Sequence, residues 1–157
     1  MKKSISALFI AVLCIFALTG CKGKETKEVT VDPAQLVSDL GATVTSSTLS
    51  DVSTEVRTDT YMTLDAAQVE NITAALNSGT GACEIAVITC KDASYPAEAE
   101  KQLKSYLDNR AELFAGYAPE EVPKLEDALI KSAGNYVVLC VTDDTSAAEE
   151  ILKKAGF

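Results

Sequence analysis

The stretch Tyr136-Val137-Val138-Leu139-Cys140-Val141 constrains the fold more than any other part of the chain. Every residue in it is apolar or aromatic, with no polar alternation, so both faces of the segment must be covered. A run this short and rich in β-branched side chains fits a strand better than a helix. Such a strand belongs at the centre of a sheet, with a neighbour on each side. Ala128 to Ser132 supplies one neighbour, joined through the tight turn Ala133-Gly134-Asn135 as a β-hairpin. Ala82 to Cys90, with Ile85, Val87 and Ile88, supplies the other. Between these lies the longest predicted helix, Pro96 to Ala115. Its stripe is Ala99, Leu103, Tyr106, Leu107, Ala111 and Phe114, and Gly116 closes it. The expected fold is α+β: a small, mostly antiparallel three-stranded sheet in a split β-α-β arrangement, with helices packed on one face.

The remaining elements are read from caps and breakers. Asp32-Pro33 opens a helix with Leu36, Val37 and Leu40 on its apolar side, ended by Gly41. Asp65 suits an N-cap, and Val69, Ile72, Ala75 and Leu76 share one helical face, so 65–76 is predicted as a second helix, stopped by Asn77-Ser78-Gly79. This helix and the one at 33–40 would cover the remaining face or edge of the sheet. The Ser- and Thr-rich stretch 42–63 matches neither pattern, although Leu49, Val52 and Val56 are compatible with a short helix or an irregular strand. Asp143-Asp144-Thr145 caps a last helix whose Ala148, Ile151 and Leu152 point inward.

The N-terminus has a different character. Lys2-Lys3 precedes an apolar run from Ile5 to Leu18, followed by Leu18-Thr19-Gly20-Cys21. The run is short for a membrane span, which needs roughly 20 apolar residues. Its flanks fit a signal peptide. The order of basic stretch, apolar core, small residues and Cys resembles the lipobox of bacterial lipoproteins. That resemblance implies removal of residues 1–20, acylation of Cys21 and an anchor on the outer face of a bacterial cell membrane. Residues 21–32 then form a tether, and 33–157 a single domain. Losing Lys2 and Lys3 takes the net charge from −9 to −11. So acidic a chain is a poor partner for nucleic acid, which is bound by neutralising phosphates with Lys and Arg. Lys22, Lys24 and Lys27 interleave with Glu25 and Glu28, as in a solvated tether. The expected partner is therefore membrane lipid, through the acylated Cys21, with a protein or cell-envelope partner unnamed.

Chemistry is hard to assemble from this composition. The chain has no His, so Ser-His and Cys-His pairs are excluded. No Ser stands three residues before a Lys, and Gly79-Thr80-Gly81 lacks the Lys of a phosphate loop. Cys83, Cys90 and Cys140 show no C-x-x-C spacing. Cys83 and Cys90 would face opposite ways on one strand. An antiparallel sheet would set Cys90 nearer Tyr136 than Cys140. All three are expected to be free and buried, with no metal and no cofactor. Asp143 and Asp144 are the best carboxylate pair, read first as helix caps. Tyr117 and Tyr136 lie near loops. Exposed together they would make a sugar- or peptide-binding platform, although packing at the core edge is the preferred reading. If a partner exists, Tyr117, Glu120, Glu121, Asp143 and Asp144 are its expected contacts, because loops on a rigid scaffold carry recognition. The resulting expectation is a non-catalytic binding or interaction module. The alternative is a cell-envelope hydrolase or redox protein using carboxylates or thiols.

One further resemblance covers most of the mature domain. Cys83-Glu84-Ile85-Ala86-Val87, Lys91-Asp92, the long amphipathic helix, Tyr117-Ala118-Pro119-Glu120 and Gly134-Asn135-Tyr136-Val137 resemble the DUF4358 family. These are uncharacterised bacterial lipoproteins common in Clostridia-like Gram-positive bacteria. Cys90 and Cys140 stand where aliphatic residues are more usual. The resemblance implies location and fold, and carries over no catalytic residue.

Overall fold

A computed structural model describes residues 29–157. The segment expected to be a signal peptide, Cys21 and most of the expected tether lie outside the described residues. The elements run α1 (Pro33–Gly41), β1 (Leu49–Asp51), α2 (Thr54–Thr60), β2 (Val69–Asn77), β3 (Glu84–Cys90), α3 (Pro96–Tyr117), α4 (Val122–Glu126), β4 (Leu129–Ala133), β5 (Tyr136–Val141) and α5 (Thr145–Ala155). A single 3-10 turn, Pro119–Glu121, joins α3 to α4. The strands form one antiparallel sheet in the order β1-β2-β3-β5-β4.

The α+β class and the split β-α-β unit are present, for β3 and β4 run parallel with β5 between them. The sheet has five strands rather than three, and β3, not β5, is its middle strand. The main correction concerns 65–76. The predicted helix there is the nine-residue strand β2, paired with β3 from Val69↔Cys90 to Leu76↔Glu84. Val69, Ile72, Ala75 and Leu76 satisfy a helical stripe, yet Ile72, Ala74 and Leu76 also share one face of a strand. Once β3 offers an open ladder, the β-branched Val69, Ile72 and Thr73 favour pairing. Asp65 therefore caps no helix; its carboxylate accepts from the Ala67 amide within a turn. The stretch 42–63 contains both elements it was compatible with, the short strand β1 and the helix α2, which Ser53 caps through its hydroxyl.

Helices cover both faces, and α1 covers the second as expected, joined there by α5 instead of a helix at 65–76. On one side Ala99, Leu103, Leu107 and Phe114 of α3 pack on Ala86, Ile88, Val137, Leu139 and Val141. On the other, Leu36, Val37 and Leu40 of α1 and Ala148 and Leu152 of α5 pack on Ile85, Val87, Val138 and Cys140. This is why β3 and β5 lack polar alternation: each alternate residue enters a different apolar layer. Cys90 and Cys140 fall in opposite layers, Thr89 pairs with Tyr136, and Cys83, Cys90 and Cys140 are all free and buried. Burial pushes the Cys90 thiol up to about 11 and the Cys140 thiol up to about 12.

The sheet has two distinct ends. β2 finishes, β3 starts and β5 finishes at one end. At the other, the β4–β5 turn holds Gly134 in the left-handed region at φ 58°, and Gly156 closes α5 at φ 100°. Val29 lies against this second end. A Cβ placed on Gly134 would sit 3.9 Å from Val29 Cβ, and one on Gly156 3.5 Å from Val29 Cγ1.

Candidate functional site

A buried carboxylate marks the end of the sheet remote from Val29. Glu84, the first residue of β3, is 2% exposed. Such a group persists only when its oxygens are bonded and its charge is matched. Tyr61 Oη donates to Glu84 Oε2 at 3.1 Å and Tyr106 Oη at 3.0 Å. Arg110 Nη1 pairs with Glu84 Oε1. Tyr106 and Arg110 lie one turn apart on α3, so the helix presents them together. Tyr61 follows α2 and packs on Tyr106 with ring centroids 5.5 Å apart. Burial, aided by the charge of Glu84, raises the Tyr61 and Tyr106 hydroxyls well above their usual range and keeps them donors. Burial also pushes the Glu84 carboxyl up, against the pull of Arg110 and the two hydroxyls.

Above this network opens a cleft of about 400 Å³, within the usual range for ligand sites. Arg110 borders it, with its guanidinium carbon 5.6 Å from the Tyr106 ring centre and 5.2 Å from that of Phe114. Phe114 in turn packs on Tyr117 at 4.8 Å between centroids. Tyr117 is 61% exposed and Leu113 68%. The opposite rim is the β2–β3 connection, Gly79, Thr80 and Gly81. The Asn77 side chain folds into this loop and accepts from the Gly79 amide at 2.8 Å. A Cβ on Gly81 would come within 2.3 Å of Asn77 Nδ2, so a side chain there would displace the Asn77 amide from the loop.

A second polar cluster ties the neighbouring loops together. Lys124 Nζ lies 2.8 Å from Glu121 Oε1, 3.0 Å from Asp143 Oδ1 and 2.9 Å from Ser46 Oγ. Asp143 Oδ2 accepts from the Thr45 and Ser46 amides, both at 2.7 Å, and Oδ1 from the Ser46 hydroxyl at 2.8 Å. Burial alone would raise the Asp143 carboxyl; the Ser46 amide, Lys124 and the Thr45 amide outweigh it and hold it well below the usual carboxylate range. Burial would likewise lower Lys124, but its bonds to Glu121 and Asp143 raise it instead. Glu121 Oε2 also accepts from the Ala82 amide at 2.8 Å, which fixes the strand entry just before Glu84.

The residues expected to contact a partner are thus divided. Tyr117 is exposed at the cleft rim. Glu120 is exposed beside it, on a neighbouring groove that shares the 79–81 loop. Glu121 and Asp143 are committed to the lysine cluster. Asp144 caps α5, accepting from the Ala147 amide at 2.9 Å. Tyr136 sits at the opposite end of β5, half-buried against the α1–α5 layer, so no platform joins it to Tyr117. Sequence reasoning missed Glu84, Tyr61, Arg110 and Lys124 as site residues. The available signal was a single acidic residue opening a mostly apolar strand, with Tyr106 and Arg110 at i and i+4 on the next helix. Among the described residues no helix is long and apolar enough to cross a membrane.

Fold and cluster together define an α+β domain with a carboxylate–arginine–tyrosine network beneath an open cleft. The chain matches the model of DUF4358, a domain of unknown function, over residues 44–142, and it belongs to that family. No curated protein and no solved structure matches it.

Proposed function

We propose that this protein is a lipoprotein held on the outer face of the cell membrane through acylated Cys21, where it acts as a non-catalytic binding domain. The observation that carries the reading is the polarity of the domain. Val29 meets the Gly134 and Gly156 end of the sheet, whereas the cleft lies at the end where β3 begins. A chain anchored at Cys21 would set the first end toward the bilayer. The eight residues 21–28 reach at most about 28 Å when extended. The cleft would then open away from the membrane, the orientation a surface receptor needs.

The side-chain chemistry favours binding over turnover. Both oxygens of Glu84 are engaged, and the residue is closed to solvent. Lys124 stays protonated between two carboxylates, so it is no base for Ser46, whose hydroxyl already donates to Asp143. The test is metabolic labelling with a fatty-acid analogue. The wild type should be tagged, and Cys21→Ala should lose the tag and accumulate as an uncleaved precursor. A label that persists in Cys21→Ala would refute both the anchor and the orientation.

A further inference from the structure

We propose that the cleft between Arg110, Tyr117 and the 79–81 loop binds a neutral saccharide. The inference deepens the binding-domain reading and rests on it. Three features of the cleft select this class. The first is spare hydrogen-bond donors. Arg110 bonds to Glu84 and Tyr106 through Nη1, and its Nε and Nη2 make no hydrogen bond among the described residues. The amides of Thr80 and Gly81 on the facing rim make none either. Donors at such a rim call for ligand oxygens. A peptide would bring an N–H for nearly every carbonyl, and those N–H groups would face the same donors.

The second feature is the apolar surface beside the donors. Tyr117, braced by Phe114, and Leu113 expose large apolar area within the same cleft. A sugar ring has an apolar C–H face and a polar edge, so it can lie on the aromatic ring and turn its oxygens to Arg110 and the loop.

The third feature is charge. The Arg110 charge is already matched by Glu84, and the chain carries a net charge of −9. An anionic ligand would meet an unfavourable field. A cationic one would find Glu84 closed off at 2% exposure. A neutral, oxygen-rich ligand suits what remains.

The experiment uses the full-length protein in detergent and a neutral β-linked N-acetylglucosamine trimer, followed by ligand-observed NMR and calorimetry. Saturable binding is expected, with magnetisation transfer strongest to ring C–H protons. Tyr117→Ala should weaken binding by about tenfold or more while lowering the melting temperature by no more than about 4 °C, as for an exposed aromatic anchor. Arg110→Lys keeps the charge but loses the planar fork, and should weaken binding similarly. Absence of saturable binding tighter than about 10 mM would overturn the proposal. So would binding of both variants as tight as that of the wild type, or an uncharged tripeptide binding as well as the sugar. Cys21→Ala protein should bind the trimer like the wild type. Loss of sugar binding with labelling intact thus condemns the ligand assignment alone, and loss of labelling with binding intact condemns the anchor alone.

Discussion

Replacing Glu84 by Gln keeps the shape of the side chain and removes its charge, which isolates the electrostatic part of the buried network. Gln can still accept from Tyr61 and Tyr106, which lie 3.1 and 3.0 Å from Oε2 in the wild type. It cannot neutralise Arg110, whose side chain is only 20% exposed. Breaking a buried ion pair by removing one partner costs about 3–5 kcal/mol. Arg110 borders the cleft and can turn part of its guanidinium to water. The expected cost is therefore toward the lower end, about 2–4 kcal/mol. At roughly 4 °C per kcal/mol for a domain of this size, Tm should fall by about 8–16 °C. Urea unfolding and differential scanning calorimetry would measure it. A double-mutant cycle with Arg110→Gln should show coupling of about 1 kcal/mol or more, because the double variant leaves no charge unmatched. If Glu84→Gln stays within about 0.5 kcal/mol of the wild type, or the cycle is additive, Glu84 and Arg110 are not the electrostatic unit described here.

Three further outcomes are expected. Leu139 is fully buried between β5 and α3, so Leu139→Ala should cost about 2–5 kcal/mol. Tyr117→Ala should cost less than about 1 kcal/mol, and equal melting of the two would show that Tyr117 belongs to the core. The Asp143 carboxyl is lowered in the folded state, so between its ordinary value near 4 and its folded value the unfolded chain binds more protons. Its stabilisation is complete above about pH 5 and is lost as pH falls through that window. Asp143→Asn should therefore unfold with a shallower acid dependence below about pH 4. Glu84, which burial shifts the opposite way, is common to both proteins and cancels in the comparison. Superimposable acid titrations would remove Asp143 from the loop clamp.

Local signals and tertiary structure divided the work unevenly. Tyr136–Val141 is legible as a doubly covered strand because only a two-faced core tolerates so long an unbroken apolar run. Asp32-Pro33 starts α1 and Asp144 caps α5 because such caps act within three residues of themselves. The β4–β5 hairpin follows from its glycine turn for the same reason. The segment 65–76 went the other way. Its apolar spacing fits two periods, and the choice fell to the open ladder of β3, a partner no local window contains. The functional end was decided still later. Tyr61, Glu84, Tyr106 and Arg110 come from three separate parts of the chain, and no spacing rule links the first two to the last two. Lys124 meets Ser46 across 78 residues of chain. By itself the sequence determined which segments could be buried and where α1, α3 and α5 start. The tertiary structure decided which polar groups are carried inside with them, because a buried charge is admissible only once folding has brought its counter-charge within hydrogen-bond reach.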